Sequence, residues 1–157
     1  MVASFSLKNA DLPGLDELDA ESIALFCWSD IRPLSGAAGF LDWRLCGALS
    51  RTLVNEQFIG DLNESMLMPI NSRLALKRVF VFGLGSSKDY SAAIAKEAWI
   101  KAFASLTEAG VKSVCVGLPS QRRNPDKSLE FHSILLEDWA ESIDLVVAEP
   151  SVIQQLV

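Results

Sequence analysis

Histidine is nearly missing: His132 is the only one in 157 residues. That excludes any site built from several imidazole ligands. It leaves a Ser-His-Asp triad one possible base, and no G-x-S-x-G elbow presents a serine to it. Cysteine is scarce as well. Cys27, Cys46 and Cys115 are odd in number, far apart and without a C-x-x-C pair, which argues against a four-cysteine zinc site and against a disulfide framework. They read as small buried hydrophobes in a reducing compartment, hence a cytoplasmic setting. No apolar run approaches the roughly 20 residues of a membrane span. Residues 1–6 carry no basic patch ahead of an apolar stretch, so neither membrane contact nor a secretory leader is expected. Bases are outnumbered, 14 Lys and Arg against 20 Asp and Glu, for a net charge of −6. Phosphate backbones repel such a chain unless its bases cluster on one face. The one tight group, Arg122-Arg123 with Lys127 following, reads as a short solvated charge run. Nucleic-acid binding is not expected.

What remains is the composition of an ordinary globular protein, 50% apolar and 22% charged. Strand-like and helix-like stretches alternate along it. Ser22 to Trp28, Leu76 to Phe82, Val111 to Gly117 and Ile143 to Ala148 are apolar on successive residues, as strands covered on both faces are. Ser4 to Lys8 and Ser65 to Ile70 are weaker and belong near the sheet edges. Between Ala38 and Gln57, Leu41, Leu45, Leu49 and Leu53 recur every fourth residue and predict one helix. A second helix runs from Asp89 to Ala109 and stops at Gly110, with Ala95, Trp99, Ala102, Phe103 and Leu106 on its buried side. A third opens at Asn124-Pro125-Asp126, a cap followed by proline in the first turn, with Phe131, Leu135 and Trp139 as its apolar stripe. The expectation is a single α/β domain over residues 1–157, three-layered α/β/α, with a mostly parallel mixed sheet.

Two glycine loops leave strands and open helices. In Arg32-Pro33-Leu34-Ser35-Gly36-Ala37-Ala38-Gly39, the small residues Gly36, Ala37, Ala38 and Gly39 let backbone N–H groups approach an anion at a helix N-terminus. In Gly83-Leu84-Gly85-Ser86-Ser87, the ligand-facing candidates are Gly83, Gly85 and Ser86. Lysine stands at position 88 where G-x-G-x-x-G needs its third glycine, and the Walker pattern fails too. Tight strand-to-helix turns requiring positive φ are the favoured explanation of both loops. Asp30 and Asp42 are the nearest carboxylates to act as a base, although each also suits the cap of a turn or helix. His132 lies beside an apolar helix stripe and is read as a core residue. No catalytic residue and no metal ligand is assigned.

The string from Asp30 to Ser50, DIRPLSGAAGFLDWRLCGALS, resembles the N-terminal domain of the leucyl (cytosol) aminopeptidase family. Leu76 to Gly85, LKRVFVFGLG, looks like that domain's next hallmark. The resemblance implies a macrodomain-like fold, a mixed sheet with helices on both sides. In the family, peptide hydrolysis belongs to a separate C-terminal domain with two metal ions and an N-T-D-A-E-G-R stretch, and neither that stretch nor its ligands has a matching position here. The implied function is a non-catalytic interaction or regulatory module, without cofactor, whose partner is itself or a full-length aminopeptidase. The alternative is a macrodomain-like binder of an ADP-ribose-like or other phosphate compound at the glycine loops.

Overall fold

The run Ser22–Trp28, β2, is buried at all seven positions, and that places it inside the sheet. In the computed structural model, which describes residues 5–9, 12–71, 75–119 and 128–149, β2 lies between two parallel neighbours. These are β4 (Arg78–Gly85) and β5 (Ser113–Gly117). Beyond β5 come β6 (Asp144–Glu149) and β1 (Ser6–Asn9), both parallel. Beyond β4 lies β3 (Ser65–Pro69), the one antiparallel strand. The order is β1-β6-β5-β2-β4-β3.

Side chains alternate across this sheet, and the two sets build separate cores. On one face Phe26, Phe80, Phe82 and Val116 meet Trp99, Leu106, Leu136 and Trp139, from α4 (Ala92–Glu108) and α5 (Ser128–Ala140). On the other, Ile23, Leu25, Val79 and Val81 meet Ala37, Leu41, Leu49 and Phe58, from α2 (Gly36–Arg44), α3 (Ala48–Val54) and the segment that follows it. A short α1 (Leu12–Asp16) ties to α2 through an ion pair between Asp16 and Arg44. The α/β class, the mixed, mainly parallel sheet and the layer of helices on each face are those expected from the sequence.

Three readings need correction. The helix predicted over 38–57 is two helices, because Cys46 and Gly47 turn left-handed at φ 55° and 81° and interrupt the ladder. Gly47 has no side chain to cap the second helix, and the Asp42 carboxylate does so instead. Asp42 Oδ1 accepts from the amides of Leu49 (2.8 Å) and Ser50 (3.1 Å), and the Ser50 hydroxyl donates to Oδ2. Cys46, at this break, is exposed rather than buried. On α5 the buried line runs through His132, Leu136 and Trp139, while Phe131 is 41% exposed. The cap at Asn124-Pro125-Asp126 and the run Arg122, Arg123, Lys127 lie outside the described residues. Among those residues no helix is long and apolar enough to cross a membrane.

Candidate functional site

In open α/β sheets, ligands sit beyond the carboxyl ends of the strands, where successive connections depart to opposite faces. Here that point falls between β2 and β5. The chain leaves β2 toward α2 on one face, and α5, which follows β5 in sequence, lies on the other. The recess there is lined by Cys27, Trp28, Ile31, Leu34, Ser35 and Gly117 among others, and holds about 20 Å³. That volume admits one water, whereas small-molecule sites run to roughly 300–1,000 Å³.

Close approach of α2 to the sheet narrows the recess. A Cβ on Gly117 would lie 2.7 Å from Ala37 Cβ and 2.9 Å from Leu25 Cδ2, so the helix seats directly on the end of β5. Gly36 takes φ 61°, and a Cβ on Gly39 would meet the Leu34 carbonyl oxygen at 2.7 Å. Both glycines of the first loop are thus required by its turn. Ser35 is extended and its side chain does not cap the helix. Gly39 donates its amide to the Ser35 carbonyl at 3.3 Å. The amides of Gly36, Ala37 and Ala38 form the first turn of the helix, whose N–H groups have no acceptor within the helix itself.

The second loop is committed differently. Gly83 N–H donates to the Glu64 carbonyl at 2.8 Å, and Gly85 N–H donates to the Gly60 carbonyl at 2.9 Å. The segment 60–62 lies so close over β4 that a Cβ on Gly83 would fall 2.0 Å from the Asp61 carbonyl oxygen. An anion does occupy this loop, and it is the protein's own. Asp30 accepts from the Ser87 amide (2.9 Å), the Ser87 hydroxyl (2.8 Å) and the Ser86 hydroxyl (3.2 Å). The Ser87 amide is the main reason the Asp30 carboxyl is held below the usual aspartate range.

The two loops therefore lie on different strands, and Asp30 bridges from the end of β2 to the start of the β4–α4 connection. Arg32 fastens the same corner. Its guanidinium donates to the Trp28 carbonyl (2.7 Å), the Ile31 carbonyl (2.8 Å) and the Ile59 carbonyl (2.9 Å). Burial pushes the Cys27 thiol above its ordinary value, against the opposing pull of Arg32, so the one thiol lining the recess stays protonated. His132 is fully buried, stacked on Trp99 at 4.9 Å, with Nε2 2.8 Å from the Tyr90 hydroxyl. The role of Arg32 as a clamp escapes sequence reasoning, because its acceptors are carbonyls that leave no mark in the sequence. Among the described residues, no three His, Cys, Asp or Glu side chains are grouped as metal ligands would be.

Comparison with known proteins follows the same lines. The family model described as the cytosol aminopeptidase family, N-terminal domain, matches residues 24–143. The fold resembles a mutant of tomato leucine aminopeptidase, with a TM-score of 0.66 and 15% identity. That match covers 99% of this chain and 35% of the tomato chain, so this chain spans about a third of that enzyme. It also resembles the DarG macrodomain of Mycobacterium tuberculosis, with a TM-score of 0.63 and 12% identity over 94% of this chain and 100% of that one. A macrodomain protein from Streptomyces coelicolor gives 0.56 and 15%, over 94% and 100% of the two chains. At these identities the likeness shows the fold. No curated protein matches the sequence.

Proposed function

We propose, from the premise that this chain belongs to the cytosol aminopeptidase family through its N-terminal domain, that it acts as a non-catalytic interaction or regulatory module. The observation that supports this reading is the internal use of both carboxylates that the sequence offered as a base. Asp30 binds Ser86 and Ser87, and Asp42 caps α3. A general base must reach a substrate proton, and neither carboxylate is free to do so. Large apolar side chains meanwhile stand in solvent, Trp43 at 67% and Leu67 at 50% exposed, as they do on surfaces that receive a partner. The partner is a second copy of this chain or a full-length aminopeptidase, in a cytoplasmic setting that keeps Cys27, Cys46 and Cys115 free. Light scattering from about 1 to 500 µM is expected to show self-association. A leucyl-peptide assay with added zinc or manganese is expected to show no turnover; cleavage by the pure protein would sink the reading.

A second reading is supported by the amides of Gly36, Ala37 and Ala38 at the mouth of the recess. In it the loop holds a phosphate group of an ADP-ribose-like ligand, with the Gly83, Gly85 and Ser86 loop playing no part while Asp30 fills it. Calorimetry with ADP-ribose decides between the two. The interaction module gives no heat at micromolar protein, whereas a macrodomain-like binder gives a one-to-one isotherm.

A further inference from the structure

Along its outer edge β3 presents main-chain groups that no strand pairs with among the described residues. The register Met66↔Val81 and Met68↔Val79, with Gly83 N–H donating to Glu64 and Ile70 N–H donating to Lys77, turns the even-numbered groups toward β4. Groups alternate sides along an antiparallel strand. Those of Ser65, Leu67 and Pro69 therefore point away from the sheet. The side chains of the same three residues are exposed, Leu67 at 50%, although it pairs with the buried Phe80. Beside them a groove of about 230 Å³ runs between β3 and α4, lined by Phe82, Ala98, Ala102 and Ser105. Edge strands are normally guarded by charge, bulges or short length. Ser-Met-Leu-Met-Pro carries no charge, and Pro69 alone interrupts its row of donors.

We propose that β3 pairs with β3 of a second copy across a twofold axis at Leu67, joining the two sheets edge to edge. This rests on the self-association reading above and names its surface. The edge is complementary to itself. With Leu67 facing its counterpart, the pair exchanges two N–H···O=C bonds. At each end Ser65 N–H meets the Pro69 carbonyl of the other copy. The missing proline donor leaves only a Ser65 carbonyl to water, and an orphaned acceptor is better tolerated than an orphaned donor. The two Leu67 side chains stand on one face and cover each other. Charge selects the antiparallel arrangement. The Glu64 carboxylate is held by the Ile59 and Gly60 amides and the Arg78 guanidinium by the Ala109 carbonyl. The exposed Asp61 lies over Gly83 at the N-terminal end of β3, and the exposed Lys77 lies beside Ile70 at its C-terminal end, so the antiparallel pairing brings opposite charges to the same end.

A cysteine placed at the axis reads this geometry. Directly bonded antiparallel partners have Cα atoms about 5.5 Å apart, within the roughly 4.4–6.8 Å a disulfide spans. In a Cys46→Ser background, with Cys27 and Cys115 buried, Leu67→Cys is expected to give a covalent dimer under mild oxidation. Val54→Cys, on α3, is expected to give no covalent dimer in the same background. Leu67→Lys sets two ammonium groups face to face and is expected to raise the dimer dissociation constant at least tenfold in sedimentation equilibrium. The Leu67 side chain is half in solvent and its N–H lies outside the β3–β4 ladder, so the circular dichroism spectrum should not change. A dimer that crosslinks through Val54→Cys, or that ignores Leu67→Lys, overturns edge pairing and leaves the interaction module standing. A monomer at every concentration overturns edge pairing and leaves a full-length aminopeptidase as the partner. Leucyl-peptide turnover overturns the module reading whatever the oligomeric state.

Discussion

At the scale of single residues, two aspartates that stand near a glycine loop are both structural acceptors, with different consequences. Asp42 is buried and satisfies two amides and a hydroxyl at the start of α3. Asp42→Ala strands those donors and removes a helix cap, so a loss of about 1–2 kcal/mol is expected from urea unfolding midpoints. Asp42→Asn keeps an acceptor and is expected to cost less. Asp30 is exposed, and its effect is a matter of pH. Because its carboxyl titrates below the usual aspartate range when folded, it stabilises the protein above the ordinary carboxylate pKa, near 4. That contribution fades as pH falls through the lowered value. The stability gap between the protein and Asp30→Asn is thus expected to be present at pH 6 and to shrink as pH falls below the ordinary aspartate value. A gap that widens on acidification would contradict the assignment.

Whole elements were legible to different degrees, and the reasons are physical. The apolar runs at 22–28 and 111–117 hold the central strands β2 and β5, because near-continuous burial is visible residue by residue. The long helix over 38–57 was misread because a leucine every fourth residue passes unchanged through a break. Gly47 at φ 81° and Cys46 at φ 55° reset the axis between Arg44 and Ala48. The β4–α4 turn shows the same limit. Gly83 lies in a strand without positive φ, and its need for glycine comes from segment 60–62 lying over it. Gly83→Ala is expected to cost about 3 kcal/mol, since a backbone carbonyl must move. Gly110→Ala meets nothing within 4 Å and bears only its left-handed φ, for about 1 kcal/mol. Equal thermal shifts for the two variants would refute the close approach at Gly83.

For the molecule as a whole, charge and site point the same way. With six more acidic than basic residues (20 against 14), the protein is expected to show no salt-sensitive shift of duplex DNA at micromolar concentration. A shift that weakens steeply with salt would count against this. Periodicity, capping residues and net charge are local or additive properties, so the sequence alone determined the α/β class, the largely parallel sheet and the resemblance carried by residues 30–50. The fate of the candidate site was decided only in three dimensions. Asp30 meets Ser87 across 57 positions and Arg32 meets the Ile59 carbonyl across 27. Neither partner leaves a trace near the other in the chain. What brings them together is the packing of β2 against β4, which turns one loop's carboxylate into the other loop's anion.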